Sequence, residues 1–147
     1  RSPEVKKDKL IGSAKRFGQT FTATGTGLAA VDVIYTTGVV SPPPVPFTFQ
    51  LYDKPGGKPI GSSRTCYGIP LAFQGRAAAA WPVGDVPLTP GKTYYLEWTC
   101  PTEVNTWIMN EDLPGEAYRN GTAVPEADMM MSIVEFEPAS PATRPVQ

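Results

Sequence analysis

The sequence contains no histidine. That removes the commonest general base and the commonest protein metal ligand together. No Ser-His-Asp set can be assembled, and neither cysteine has an imidazole to activate it. Charge is scarce as well: 18% of the residues are charged, and the formal net charge is −1. No basic field therefore invites nucleic acid or an anionic membrane. No apolar run is long enough to span a bilayer, and no long stretch keeps a helical period. A phosphate-binding glycine loop is also missing.

Cysteine is sparse, with Cys66 and Cys100 the only two. Each ends or borders a strand-like run, which leaves two readings: a disulfide between neighbouring strands, or two buried free thiols. The bond would close a loop of about 34 residues and stabilise the fold by roughly 3–4 kcal/mol. An extracellular setting would favour it.

What is abundant is turn chemistry, with 17 Pro and 14 Gly among 147 residues. Short alternating runs lie between the turns, and together these predict an all-β domain. Strands are expected at Arg16–Thr22, Leu28–Thr36, Phe47–Tyr52, Ile60–Tyr67, Arg76–Trp81, Tyr94–Cys100, Asn105–Asn110 and Asp128–Glu137. The turn at Asp53–Pro59 predicts a hairpin, and Asn120-Gly121, between Ala117–Arg119 and Thr122–Val124, predicts a second. Residues 1–14 and 138–147 have linker composition, which leaves 15–137 as the folded module. Arg1 falls inside that linker-like stretch, so a signal peptide could have stood upstream.

The chain is organised around Val86-Pro87-Leu88-Thr89-Pro90-Gly91-Lys92-Thr93-Tyr94. Pro90 and Gly91 set a rigid turn. In the strand that follows, Tyr94, Leu96, Trp98 and Cys100 share one face, and Tyr95, Glu97 and Thr99 the other. The spacing resembles the tyrosine corner of Greek-key β-sandwiches, which implies a buried Tyr94 with its hydroxyl bonded to backbone a few residues upstream.

Further segments extend the likeness: Gly18-Gln19-Thr20-Phe21-Thr22-Ala23, Phe49-Gln50-Leu51-Tyr52-Asp53, Gly115-Glu116-Ala117-Tyr118-Arg119-Asn120-Gly121 and Asp128-Met129. In this order they resemble jelly-roll or galactose-binding-like accessory modules of secreted bacterial polysaccharide-degrading enzymes. The match runs from about Lys15 to Glu137. It departs at Met129-Met130-Met131, where larger apolar residues are expected, and at the two cysteines. The resemblance implies an antiparallel jelly-roll β-sandwich, secreted or on the bacterial surface. It further implies a carbohydrate-binding module that holds a covalently linked catalytic domain on polysaccharide or oligosaccharide. It implies a structural calcium ion too, for which Asp128, Glu135 and Glu137 are the candidate carboxylates.

Glycan recognition needs flat rings and planar polar side chains. Trp98 is assigned to the core. Trp107, followed closely by Glu111 and Asp112, is the leading platform. Trp81, Tyr118 with Arg119 beside the Asn-Gly turn, Tyr67, and Arg76 complete the candidate set. Core packing is the competing fate of each aromatic. Glu111, Asp112 and Glu116 are read as a solvated acidic loop rather than an acid–base pair, so no catalytic residue is assigned. The alternative function is a structural or adhesion spacer of a multidomain protein, without a sugar site.

Overall fold

The structure, a computed structural model, describes residues 10–38, 43–70, 74–108, 115–125 and 127–137. Among them are ten strands and no helix, and every pairing is antiparallel. The strands form two layers. In the first, β7 (Thr93–Thr106) lies between β1 (Ala14–Thr22) and β3 (Pro46–Tyr52). β4 (Pro59–Tyr67) extends the β3 side, and β8 (Ala117–Arg119) with β9 (Thr122–Val124) extends the β1 side. In the second, β2 (Gly27–Thr36) runs between β10 (Met131–Phe136) and β6 (Gln74–Ala80), with the short β5 (Ile69–Pro70) outside β6. The end of β7 leaves the first layer and pairs Asn105 and Thr106 with Thr36 and Tyr35 of the second. The protein is an all-β antiparallel sandwich.

Period-two alternation explains which residues fill the space between the layers. Phe17 and Phe21 of β1, Phe47, Phe49 and Leu51 of β3, and Tyr94, Leu96 and Trp98 of β7 are buried on one side. Leu28, Val31, Val33 and Tyr35 of β2 meet them from the other. Trp98 is the centre. Its ring lies 4.7 Å from Phe17 and 5.4 Å from Phe47, and its indole N–H donates to Met129 Sδ at 3.2 Å. Met129 therefore fills core space as a soft partner for the indole, at a position where the sequence led us to expect a larger group.

The turn before β7 behaves as its residues require. Tyr94 is buried, and its hydroxyl accepts a hydrogen bond from the Thr89 backbone N–H at 2.8 Å. Gly91 has φ +87°, a conformation closed to residues with a side chain unless they are strained. In the Asn120-Gly121 turn both residues have positive φ (52° and 81°), the pattern of a two-residue hairpin that matches strand twist.

Three expectations need correction. Asn105–Asn110 is not a separate strand: β7 is continuous through Pro101 to Thr106. Pro101 is accommodated because the pairing with β1 is interrupted there. Thr99 faces Arg16, whereas Val104 faces Ala14, so the residues between bulge out and owe no N–H to the ladder. Nor are the two cysteines neighbours. Phe47 pairs with Cys66, and Thr48 pairs with Thr99, so β3 lies between the cysteine-bearing strands. Two inter-strand steps put their backbones about 9–10 Å apart, beyond the roughly 7 Å that a disulfide tolerates. Both are free thiols, and the Cys100 thiol donates to the Thr102 carbonyl at 3.0 Å.

Gln19 and Asp128 form a buried polar link at the edge between the layers. The Gln19 amide N–H donates to Asp128 Oδ1 at 3.1 Å, and its carbonyl accepts from the Met129 N–H at 2.8 Å. Residues 128–130 precede the last strand rather than opening it, and a register shift between Val134 and Glu135 accounts for the change of face along β10.

Candidate functional site

The outward face of the first layer carries an aromatic cluster. Tyr95 and Tyr52 pair across β7 and β3, while Tyr118, Gly18, Glu97 and Gln50 occupy one cross-strand row over β8, β1, β7 and β3. The Tyr95 ring lies across β1 at Gly18, where a Cβ would overlap it. Tyr118 meets that ring edge-on at 5.1 Å, and Tyr52 stands 6.3 Å away on the other side. Tyr95 is buried although it belongs to the outer face. Its hydroxyl donates to Glu97 Oε2 at 3.0 Å. Burial and the neighbouring Glu97 carboxylate hold the Tyr95 hydroxyl in its neutral form well above the ordinary phenol range.

Beside this cluster is a hollow of about 370 Å³ lined by Arg16, Tyr52, Pro55, Gly56, Gly57, Tyr95, Glu97 and Gly121. That volume is at the small end of the roughly 300–1,000 Å³ typical of ligand clefts. Two tight turns make its rim. In the β3–β4 turn the Asp53 carboxylate accepts from the Lys58 N–H at 2.7 Å, and the Gly57 N–H donates to the Lys54 carbonyl at 2.9 Å. On the other side the Asn120 N–H donates to the Arg16 carbonyl at 2.9 Å, and Gly121 lies against the Arg16 guanidinium. Arg16 Nε stands 3.8 Å from Glu97 Oε2. The result is a preformed hollow with one accessible flat ring, Tyr52, one paired cation and anion, and close backbone approach from glycines.

Most of the residues named from the sequence lie elsewhere. Trp81 is buried and donates its indole N–H to the Ser62 carbonyl at 2.8 Å. Trp107 is half-buried, bridged through its backbone to Leu10 and Met130. Arg119 is tied to the Ser13 carbonyl through Nε at 3.1 Å and Nη2 at 2.6 Å. Arg76 forms a bidentate pair with Asp32, Nε to Oδ1 at 2.8 Å, on the outward face of the second layer. Tyr67 is 67% exposed at the end of β4. Glu111 and Asp112 lie outside the described residues. Of the candidates among the described residues, only Tyr118 adjoins the hollow, through its contact with Tyr95.

The three carboxylates named for calcium do not converge. Asp128 is buried against Gln19. Glu135 accepts from the Thr24 and Gly25 N–H groups at 3.0 and 2.9 Å, closing the β1–β2 turn. Glu137 is exposed. Among the described residues no three acidic or sulfur side chains come together to hold a metal ion.

A second cavity, of about 250 Å³, opens between the layers beside β1 and β10. Its lining is mainly apolar, from Phe21, Met129, Met131 and Ile133. The polar groups at its ends, Gln19, Asp128 and Glu135, are already engaged within the fold. It is better described as a gap between the two layers than as a reader of polar ligands.

No protein-family model matches the sequence, and no curated protein matches it. The function therefore has to be argued from the arrangement of side chains.

Proposed function

We propose that this protein is a non-catalytic carbohydrate-binding module, and that its sugar site is the tyrosine-lined hollow. The observation that carries the reading is the conjunction there of the half-buried Tyr52 ring, backed by buried Tyr95, with the Arg16–Glu97 pair on a preformed rim. A pyranose presents an apolar face that stacks on a phenol ring and hydroxyls that bond a guanidinium or carboxylate. Such a module would hold a linked catalytic domain of a secreted bacterial protein on its polysaccharide and raise the local substrate concentration.

The burial of Trp81 and Trp98 favours the rival reading, a spacer without a sugar site. Native affinity electrophoresis across a panel of polysaccharides separates the two. Binding predicts that at least one glycan retards the wild type and that Tyr52→Ala migrates freely on it. Free migration of the wild type on every glycan supports the spacer.

A further inference from the structure

We infer, on the reading that the hollow is the sugar site, that it takes an uncharged glycan and discriminates against uronate-containing ones. The charge of its lining balances. Arg16 is its one cation and Glu97 its one anion, and they face each other at 3.8 Å. The remaining lining is tyrosine, proline and glycine.

A paired guanidinium and carboxylate complement a vicinal diol. The guanidinium donates to hydroxyl oxygens, and the carboxylate accepts hydroxyl protons. A sugar carboxylate brought into the same space would compete with Glu97 for Arg16 and stand close to a like charge. Glu97 is also less able to turn away than Arg16. Its side chain is 17% exposed against 46%, and it is held by the Tyr95 hydroxyl. It thus acts as the repulsive element that specificity requires. Lys54 and Lys58 belong to the rim turn but do not line the hollow. Exposed charges of that kind attract any polyanion weakly and are screened by salt.

The test is isothermal titration calorimetry of the full chain at about 0.15 M salt, where exposed charges are largely screened. Neutral probes are mixed-linkage β-glucan and galactomannan; acidic probes are polygalacturonate and alginate. The variants are Glu97→Gln, which keeps an acceptor for Tyr95 while giving the hollow a net positive charge, and Tyr52→Ala. The expected result is wild-type binding to a neutral probe and to neither acidic one. Glu97→Gln should weaken neutral binding about tenfold, the loss of one charged hydrogen bond, and gain binding to polygalacturonate. Wild-type binding to an acidic probe, alone or alongside a neutral one, overturns the charge inference and leaves carbohydrate binding standing. Absence of heat with every probe, from protein whose melting curve shows it folded, overturns both. Neutral binding that Tyr52→Ala leaves unchanged removes the hollow as the site.

Discussion

Tyr95 lies flat across Gly18, one strand away, so closely that no other residue type fits beneath the ring. An outward-facing aromatic of β7 is buried by this means, and Tyr118 and Tyr52 are gathered around it. The hollow owes its base to this one contact between a phenol and a residue without a side chain.

Gly18→Ala should therefore displace the ring. Overpacking of this kind costs about 1–3 kcal/mol, visible as a lower urea midpoint with an unchanged slope. If the sugar site lies there, glycan affinity falls in the same variant. A midpoint equal to wild type would mean that the ring swings aside freely.

Tyr94→Phe removes the acceptor for the Thr89 N–H and leaves the ring in place. The expected loss is about 1–2 kcal/mol in chemical denaturation, the value of one partly buried hydrogen bond with its donor left unpaired. No loss would show that water replaces the hydroxyl without cost.

Gln19→Met keeps volume and deletes the three bonds of the amide, to Asp128, the Thr20 carbonyl and the Met129 N–H. Taking one hydrogen bond from the buried Asp128 carboxylate and the acceptor from the Met129 N–H should cost about 1–3 kcal/mol, measured by the same denaturation curves.

Stability should decline in alkali. Burial pushes the Cys100 thiol up from 9.0 to about 11. Burial likewise raises Cys66, and it raises Tyr35, whose phenol lies near both thiols. A raised folded value means the neutral group is favoured by the fold. Its contribution is complete below pH 9 and is lost as pH rises through 11, because the unfolded chain ionises first. Denaturation midpoints across that interval test the sign. Intact mass spectrometry under native conditions should give the mass of the fully reduced chain, and Cys66, the less buried thiol, should alkylate before Cys100.

Local chemistry made much of the architecture legible. The alternation Tyr94, Leu96, Trp98 marked the buried face of β7, and Asn120-Gly121 marked its hairpin, because both depend on neighbours within a few residues. Tyr52, Tyr95 and Glu97 were readable as outward-facing. What could not be read was that β3, β7, β1 and β8 lie side by side, since that pairing joins residues far apart in sequence. Only this adjacency turns three scattered tyrosines into a cluster, and only it puts Phe47 between the two cysteines. Trp81 misled for a related reason. Trp81 closes the expected strand and precedes a proline, beside a turn where an exposed platform would sit, yet the Ser62 carbonyl of β4 receives its indole. Gly18 was the available signal for the hollow, a glycine within an alternating strand, which often marks a close approach.

β7 belongs to both layers: Tyr95–Thr99 is flanked by β1 and β3, and Asn105–Thr106 is joined to β2. A backbone shared in this way couples the fates of the two sheets. Neither can peel off as an independent foldon, so the slowest amide protons of both should exchange through one common opening.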